Sequence, residues 1–418
     1  MDKMSVYGGE TLKGDVTISG AKNSALPLIF STLLASGKHV LKNVPNLRDI
    51  DSSCQLMDSL GCKTKFSNNT LEIEVAEQLE TLAHYDQVRK MRASILVLGP
   101  LLSRFKKAKV SLPGGCAIGA RPIEMHLDAL KAMGANIEVD SGYVVATTDG
   151  LKGTTIKLPF ATVGGTENTM MAAALAEGET KIINAAREPE IVDLGNYLET
   201  MGAKVSGTGT SEITIVGNEN LSAGTHEVIP DRIETGTLMV ASAITGGDVT
   251  LKKCEPEHLR AFIDVLKEMG VDFEENGTTI RVIGKEKYKA INVETAPFPG
   301  FPTDLQAQLM TLTLKADGES VISEKVFENR FMHVPELSRL GAKIQTEGRV
   351  AKIQGLKEAL IGAPVMATDL RASACLILAG LIADGETLVN RIYHLDRGYE
   401  KLENKLSQLG GKVKRIKN

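Results

Sequence analysis

A short loop in the second quarter of the chain combines a thiol with a cation. Residues 113–122 contain three glycines and two prolines, so neither a regular helix nor a central strand can run through them. Within this loop, Cys116 precedes Arg121 by five residues. A nearby cation lowers the pKa of a thiol, and the thiolate is its reactive form. The loop is therefore a candidate site of thiol chemistry, with an incidental surface cysteine as the plainer alternative.

Three other cations are predicted to stand at the beginnings of buried helices. They are Lys22, Arg92 and Arg371. A helix N-terminus carries a partial positive charge, so a cation there is unfavourable unless an anion shares the position. We therefore expect an anionic ligand, a phosphate or a carboxylate, held by helix ends and guanidinium groups. Arg397 adds a further cation near the end of the chain, with a surface ion pair to Asp396 as the alternative.

Carboxylates stand at two further predicted helix starts, at Asp231 and Asp304, and Asp369 shares the predicted helix start of Arg371. An isolated aspartate at such a position usually caps the helix by accepting backbone N–H groups, and capping is the expectation for Asp231 and Asp369. Asp304 differs because three prolines within residues 297–302 stiffen the approach to it. A carboxylate fixed opposite an anion site is a candidate general base for a hydroxyl group.

The elements that position these residues recur along the chain. A Leu-Gly or Met-Gly pair followed by a polar, strand-like segment appears six times, 68 to 73 residues apart, with its glycine at Gly61, Gly134, Gly202, Gly270, Gly341 and Gly410. Each interval reads as a nearly apolar helix, a β-branched strand, an amphipathic helix that ends at the glycine, and a hairpin. Such a repeat predicts an α/β fold built from six βαβαββ-like units.

The six units form two sets of three. The break is expected near Pro230, with one domain over residues 22–229 and the other formed by residues 1–21 together with residues 230–418. The sixth unit ends on a single strand over residues 411–418. The strand-like segments at the N-terminus are therefore expected to complete it.

The third unit offers a further candidate ligand site. Its buried helix is predicted over residues 169–176, which puts Glu167 and Asn168 at the helix start. Shortly before them lie two adjacent glycines, Gly164 and Gly165, whose lack of a side chain lets backbone amides approach a ligand.

Composition limits the class of protein. The 418 residues include 48 Lys and Arg against 52 Asp and Glu, a net charge of −4, which gives no concentrated positive field for nucleic acid or an anionic membrane. The longest apolar runs reach about half the length that a membrane span needs. Five cysteines are scattered without metal-ligand spacing. We therefore expect a cytoplasmic protein with free thiols and with no metal, cofactor, nucleic acid or membrane as partner.

Five longer segments carry a resemblance to a known family. Their sequences are GAKNSA (20–25), PGGCAIGARP (113–122), DRIETGT (231–237), FPTDLQAQ (301–308) and FENRF (327–331). Together they resemble the UDP-N-acetylglucosamine 1-carboxyvinyltransferases, enolpyruvyl transferases that commit UDP-N-acetylglucosamine to bacterial peptidoglycan synthesis. The resemblance runs the length of the chain and implies a two-domain inside-out α/β barrel. It also implies transfer of the enolpyruvyl group of phosphoenolpyruvate to the sugar 3′-hydroxyl, with release of phosphate and without a cofactor.

The resemblance implies a role for each matched residue. Cys116 would donate a proton to C3 of phosphoenolpyruvate, and it is the thiol that fosfomycin alkylates in this family. Asp304 would take the proton of the 3′-hydroxyl, with Lys22 and Arg397 also acting in catalysis. The residues implied for phosphoenolpyruvate are Lys22, Asn23, Arg92, Arg121, Arg371 and Arg397. The residues implied for UDP-N-acetylglucosamine are Asn23, Arg92, Arg121, Pro122, Ile123, Glu124, Met125, Thr162, Val163, Gly164, Asp304 and Val326.

One residue departs from the family pattern, and two other functions stay open. Phe160 stands where many family members carry a lysine. A transferase like 5-enolpyruvylshikimate-3-phosphate synthase would share the fold and the donor, but it would need a shikimate phosphate site and no cysteine loop. A non-catalytic module that binds a nucleotide sugar would release no phosphate and would not need Cys116.

Overall fold

The computed structural model describes residues 2–114 and 123–417. These residues form two compact units, each with its own hydrophobic core. Unit I comprises residues 20–114 and 123–229, and unit II comprises residues 2–19 and 230–417. None of the helices in these ranges is long and apolar enough to cross a lipid bilayer.

Six four-stranded sheets recur within the described residues, three in each unit. In every sheet a parallel edge strand lies beside a central strand, and two further antiparallel strands complete the order. The strand orders in unit I are Thr225–Glu227, Gly37–Lys42, Thr70–Val75, Lys63–Ser67; Leu82–Ala83, Lys107–Ser111, Tyr143–Thr147, Asn136–Asp140; and Thr155–Lys157, Glu179–Ile183, Glu212–Val216, Lys204–Ser206. The orders in unit II are Lys13–Thr17, Asp248–Lys252, Thr279–Ile283, Asp272–Asn276; Asn292–Glu294, Glu319–Ser323, Val350–Gln354, Lys343–Glu347; and Pro364–Met366, Glu386–Asn390, Lys3–Tyr7, Lys412–Ile416.

Two short parallel pairs accompany the sheets of unit II. They join Tyr288–Lys289 to Ala316–Asp317 and Leu360–Ile361 to Ala383–Asp384. The six sheets with one common order confirm the prediction of a six-fold α/β repeat.

The two N-terminal strands complete two different sheets. Lys3–Tyr7 pairs antiparallel with both Glu386–Asn390 and Lys412–Ile416, so it completes the sixth unit as predicted. Lys13–Thr17 instead pairs in parallel with Asp248–Lys252 of the fourth unit. The expectation that both segments belong to the sixth unit is therefore wrong for the second one, which fills the parallel edge position in the sheet of the fourth unit.

Each of the six repeats has one buried helix and one helix at its periphery. The buried helices are Lys22–Ser31, Leu98–Phe105, Val163–Ala173, Arg232–Ile244, Gln306–Thr313 and Leu370–Gly380. The peripheral helices are Arg48–Ser59, Glu124–Ala132, Pro189–Met201, Arg260–Met269, Val334–Arg339 and Leu402–Gln408. A short helix, Tyr85–Val88, and single 3₁₀ turns at Thr32–Leu34, Arg92–Val97, Pro256–Leu259, Thr303–Leu305 and Leu395–Arg397 complete the helical elements.

The sequence pattern explains which helices are buried. In the helix Arg232–Ile244, every residue after Arg232 is buried, because the segment has no polar face to turn towards solvent. The helix Arg260–Met269 instead buries only Phe262, Ile263, Leu266 and Met269, which share one face. Burial of each such side chain stabilises the fold by about 1.5–3 kcal/mol.

The six recurring glycines end the peripheral helices as predicted. All six have φ between +95° and +110°. This left-handed conformation strains a residue that has a side chain, whereas glycine adopts it freely. This confirms that a glycine follows the peripheral helix in each repeat and ends it.

The buried helix of the third unit begins earlier than predicted. It spans Val163–Ala173, not residues 169–176, so Glu167 and Asn168 lie inside it. Thr162 caps the helix, since its Oγ1 accepts the N–H of Gly165 at 3.3 Å. The adjacent glycines obscured this start because glycine is a poor helix former.

Candidate functional site

In unit II, a carboxylate lies between two guanidinium groups. Asp304 belongs to the 3₁₀ turn Thr303–Leu305, immediately before a buried helix. Its Oδ2 accepts a hydrogen bond from Nη2 of Arg371 at 2.7 Å, and its Oδ1 accepts one from Nη2 of Arg330. Both arginine side chains are only 6% exposed, whereas that of Asp304 is 26% exposed. The carboxylate is thus fixed in orientation but keeps some access from outside.

The opposite charges of Asp304 and the two arginines stabilise one another. Burial is the largest single influence and lowers the pKa of the Arg371 guanidinium, but the charges of Asp304, Tyr399 and Asp231 together outweigh it and raise that pKa. Two guanidinium groups in turn favour the ionised form of the Asp304 carboxyl group. Sequence reasoning gave Asp304 and Arg371 a role but assigned none to Arg330, although the residue lies in a segment that carried the resemblance.

Backbone and side-chain contacts hold Arg371 in place. Oδ1 of Asp369 accepts the N–H groups of Arg371 and Ala372 at 2.8 and 3.0 Å, so this aspartate is the helix cap that the sequence predicted. The Arg371 guanidinium carbon lies 5.6 Å from the centre of the Tyr399 ring. The Tyr399 hydroxyl is itself 3.0 Å from Nε2 of Gln308, so the ring is anchored inside unit II.

Asp231 is also a helix cap. Its Oδ1 accepts the N–H groups of Ile233 and Glu234 at 2.7 and 3.0 Å. Its role in the described structure is therefore the ordinary one expected from its position.

A buried glutamate fixes the turn that leads to Asp304. Glu324 is 1% exposed, and its Oε1 accepts the N–H groups of Val326 and Phe327 at 2.8 and 3.0 Å. Its Oε2 accepts the hydroxyl of Thr303 at 2.8 Å. Val326, a predicted nucleotide-sugar residue, is therefore tied through one carboxylate to the residue that precedes Asp304. Sequence reasoning missed Glu324 because its link to Thr303 spans 21 residues.

Arg397 is a half-buried residue in the 3₁₀ turn Leu395–Arg397. Its neighbour Asp396 accepts hydrogen bonds from Nη2 and Nη1 of Arg415 at 2.5 and 3.2 Å. Asp396 is thus engaged by a more distant arginine, which was not foreseen from the sequence.

In unit I, Lys22 pairs with a carboxylate that sequence reasoning missed. Lys22 opens the helix Lys22–Ser31, and its Nζ lies 2.8 Å from Oδ2 of Asp49, in the first turn of the helix Arg48–Ser59. The two side chains are 13% and 3% exposed. The anion expected beside Lys22 at this helix start is therefore supplied at least in part by Asp49 of the chain itself. Asn23, the next residue, is half-buried.

A second predicted cation of unit I also opens a helical segment. Arg92 begins the 3₁₀ helix Arg92–Val97, which runs directly into Leu98–Phe105. Its positive charge contributes to lowering the pKa of His126. Arg92 and His126 are therefore electrostatic neighbours.

The predicted nucleotide-sugar residues of unit I lie at the starts of two helices. Ile123 precedes the helix Glu124–Ala132, in which Glu124 is exposed and Met125 is buried. Val163 and Gly164 are the first two residues of their helix, where N–H groups have no acceptor within the helix. Phe160, the departure from the family pattern, is 54% exposed. Cys116, Arg121 and Pro122 lie outside the described residues.

A buried carboxyl group follows this helix start. Glu167 is 4% exposed, and burial, followed by the charges of Glu190 and Glu188, raises its pKa to about 8. The group is therefore largely protonated at neutral pH. Within residues 2–114 and 123–417, no cluster of three or more His, Cys, Asp or Glu side chains could hold a metal ion.

The chain is similar to known protein families along almost its whole length. The family described as EPSP synthase (3-phosphoshikimate 1-carboxyvinyltransferase) matches residues 6–406. The UDP-N-acetylglucosamine 1-carboxyvinyltransferase of Bdellovibrio bacteriovorus is 57% identical over 413 residues, which cover 99% of this chain and 100% of the relative. The enzyme of the same name from Geobacter metallireducens is 55% identical over 417 residues, and both chains are covered in full.

Solved structures show the same fold. The enolpyruvyl transferase NikO from Streptomyces tendae matches with a TM-score of 0.89 and 24% identity over 99% of each chain. EPSP synthase from Acinetobacter baumannii matches with a TM-score of 0.78 and 20% identity over the full length of both chains. The predicted fold class, the inside-out α/β barrel, is thereby confirmed.

Proposed function

The chain belongs to the EPSP synthase family, in the branch of the UDP-N-acetylglucosamine 1-carboxyvinyltransferases, and from this membership we propose how its residues carry out the reaction. The reaction is enolpyruvyl transfer to UDP-N-acetylglucosamine, a step of peptidoglycan synthesis. The donor is phosphoenolpyruvate, the acceptor is the 3′-hydroxyl of the sugar, and phosphate is released.

The chemistry needs an acid and a base that act on different atoms. A proton added to C3 of phosphoenolpyruvate makes C2 electron-poor, and the 3′-hydroxyl oxygen attacks C2 while it loses its own proton. The C3 methyl group then gives up a proton as the phosphate leaves, which restores the carbon–carbon double bond. Cys116 is the acid, on the support of the sequence resemblance alone, and Asp304 is the base.

The observation that carries the proposal is the Asp304 carboxylate between Arg371 and Arg330. A proton acceptor has to be ionised and correctly aimed before the hydroxyl arrives, and this arrangement supplies both conditions. When the anionic donor binds to Arg371, it competes with Asp304 for that guanidinium. The carboxylate then loses part of its stabilisation and becomes a stronger proton acceptor. Donor binding and base strength are coupled in this way.

The remaining cations bind the donor. Phosphoenolpyruvate carries a phosphate and a carboxylate, so it needs several positive groups. Lys22, Asn23, Arg92, Arg371 and Arg397 serve it. Arg121 joins them on the support of the resemblance. Internal carboxylates such as Asp49 hold these cations until the ligand takes over the interaction.

The nucleotide sugar is bound mainly by residues at helix starts. Thr162, Val163 and Gly164 offer the N-terminus of a helix, which suits a phosphate group. Ile123, Glu124 and Met125 form the start of another helix, and Pro122 joins them on the support of the resemblance. Asn23, Arg92, Arg121, Asp304 and Val326 complete the set.

A cytoplasmic location remains part of the proposal. It is supported by Cys54, Cys62, Cys254 and Cys375, which form no disulfide, because free thiols are typical of a reducing compartment.

Phosphate release tests the proposed function. We expect the chain to release phosphate from phosphoenolpyruvate when UDP-N-acetylglucosamine is present, and not when either substrate is alone. Shikimate 3-phosphate is the control acceptor. Release with shikimate 3-phosphate but not with the nucleotide sugar would overturn the assignment, and binding of the nucleotide sugar without release would favour a non-catalytic module.

A further inference from the structure

His126 lies in a buried hydrogen-bond relay of unit I that the assigned roles do not use. The N–H of Gly99 donates to Oδ1 of Asn168 at 2.8 Å, and Nδ2 of Asn168 lies 3.1 Å from Nδ1 of His126. Nδ2 also donates to the carbonyl of Ile95 at 3.4 Å. Asn168 is fully buried and His126 is 7% exposed. The relay therefore joins four helical segments inside one unit.

This relay determines which ring nitrogen of His126 carries the proton. A backbone N–H can only donate, so the Asn168 atom that faces Gly99 is the oxygen, and the atom that faces His126 is the amide nitrogen. Nδ1 of His126 must then accept, which leaves the single proton of a neutral imidazole on Nε2. Burial, followed by the charge of Arg92, lowers the pKa of His126 to about 4, so the ring is neutral at physiological pH.

The protonated edge of the ring faces the start of the helix Val163–Ala173. A Cβ atom built on Gly164 would lie 3.2 Å from Cε1 and 3.4 Å from Nε2 of His126. This is tight enough that any side chain at position 164 would displace the ring. Nε2 makes no hydrogen bond to any residue in the described ranges. A ring N–H of a largely buried histidine thus lies beside Val163 and Gly164, whose own N–H groups have no acceptor within the helix.

We propose that Nε2–H of His126 and the N–H groups of Val163 and Gly164 donate together to a phosphate oxygen of the diphosphate in the nucleotide sugar. His126 is then a binding residue that the sequence did not reveal, and Asn168 is a positioning residue that holds it in the donating tautomer. The identity of the ligand rests on the proposed function, whereas the tautomer does not.

A neutral donor suits a diphosphate better than it suits phosphoenolpyruvate. Each phosphate of a nucleotide sugar carries one negative charge, which a helix N-terminus and neutral N–H groups satisfy. Phosphoenolpyruvate concentrates more charge in a smaller molecule and needs fixed cations such as Arg371. The inference therefore predicts an effect on one substrate and not on the other.

The first experiment reads the tautomer directly in the full chain. Histidine labelled with ¹⁵N gives distinct two-bond ¹⁵N–¹H patterns for the two neutral tautomers, and the His126→Gln spectrum assigns the signal. We expect the Nε2–H pattern at neutral pH. In Asn168→Asp the donor to Nδ1 is replaced by an acceptor, so a proton should appear on Nδ1. An Nδ1–H pattern or an imidazolium in the unaltered chain would overturn the relay.

The second experiment separates binding from packing with two matched variants. His126→Gln places an amide N–H near the position of Nε2 but gives up the contact to Asn168. His126→Asn keeps a polar group near Nδ1 but removes Nε2. If Nε2–H binds the diphosphate, His126→Asn raises the KM for UDP-N-acetylglucosamine about tenfold or more, and His126→Gln raises it less. The KM for phosphoenolpyruvate stays within about twofold of the value for the unaltered chain in both variants, because Nε2–H does not bind this substrate.

The outcomes distinguish this inference from the proposed function. If the unaltered chain neither binds nor turns over the nucleotide sugar, the proposed function fails while the tautomer result stands. If the unaltered chain is active and His126→Asn is no weaker than His126→Gln, the inference fails and the function stands. Titration calorimetry with UDP alone, on variants whose melting temperatures match the unaltered chain, isolates the diphosphate contribution.

Discussion

Asp304 and Glu167 are both carboxyl groups near the start of a core helix, but their surroundings are opposite. Asp304 in unit II accepts hydrogen bonds from two buried arginines, Arg371 and Arg330. Glu167 in unit I is buried near Glu190 and Glu188, and its pKa is raised to about 8. One environment stabilises the negative charge of the carboxylate and the other opposes it. The same functional group is therefore favoured in its ionised form in one unit and kept largely protonated in the other.

The cations of the two units also differ in how firmly they are held. Arg371 is held by a cap, by an aromatic ring and by Asp304, so its position does not depend on a ligand. Lys22 is a flexible ammonium group that pairs with Asp49. Arginine suits a fixed geometry and lysine suits an adaptable one. Unit II thus holds its guanidinium and carboxylate in a fixed geometry, whereas the ammonium group in unit I has more freedom to adjust.

The largest effect is expected from removing a guanidinium beside Asp304. Arg371→Met leaves the carboxylate with one arginine and removes a cation from the donor, so kcat/KM for phosphoenolpyruvate should fall about a hundredfold or more. Steady-state kinetics at saturating UDP-N-acetylglucosamine measure it. Arg339→Met is the matched control, because Arg339 is an exposed arginine of the same unit that pairs with Glu336. Equal rates in the two variants would contradict the role of Arg371.

A smaller effect is expected when Lys22 loses its carboxylate. Asp49→Asn removes a buried charge partner and should lower the free energy of unfolding by about 1–3 kcal/mol. Phosphoenolpyruvate supplies a replacement anion, so saturating donor should restore part of the loss. Thermal denaturation with and without the donor measures both quantities. If the donor stabilises Asp49→Asn no more than it stabilises the unaltered chain, it does not take over the interaction with Lys22.

The smallest effect is a pH dependence of stability that originates at Glu167. Below the ordinary glutamate pKa, the folded and unfolded chains both hold this proton. Between about pH 5 and pH 8 only the folded chain keeps it, so rising pH favours unfolding by up to about 1 kcal/mol per pH unit. Glu167→Gln removes this dependence. The melting temperature of the unaltered chain should fall relative to that of the variant as the pH rises, and parallel curves would exclude a raised pKa.

Local patterns in the sequence predicted the repeat and its punctuation. The hairpin Asp272–Asn276 and Thr279–Ile283 was anticipated because Asn276 and Gly277 form a two-residue turn signal, and Gly277 has φ +55°. The caps Asp231 and Asp369 were predicted in the same way, since a cap involves only neighbouring residues. These features depend on short stretches of chain, so a single sequence contains the information.

The partners of the candidate residues could not be predicted in this way. Arg330 lies 26 residues from Asp304, and Asp49 lies 27 residues from Lys22. Both pairs lie within a single repeat, but each forms only when the start of a buried helix packs against a later segment of that repeat, and no local period records such a contact. The relay through Asn168 was missed for another reason, because the helix start was placed six residues too late and Asn168 was read as a terminal residue.

The central claim is that Asp304 accepts the proton of the 3′-hydroxyl during transfer. Phosphate release in a single turnover, compared between the unaltered chain and Asp304→Asn with both substrates bound, tests it most directly. An asparagine keeps the shape of the side chain but cannot accept the proton, so the rate should fall by about a factor of 10²–10⁴ while calorimetry still detects UDP-N-acetylglucosamine binding. An unchanged rate in Asp304→Asn would contradict the claim.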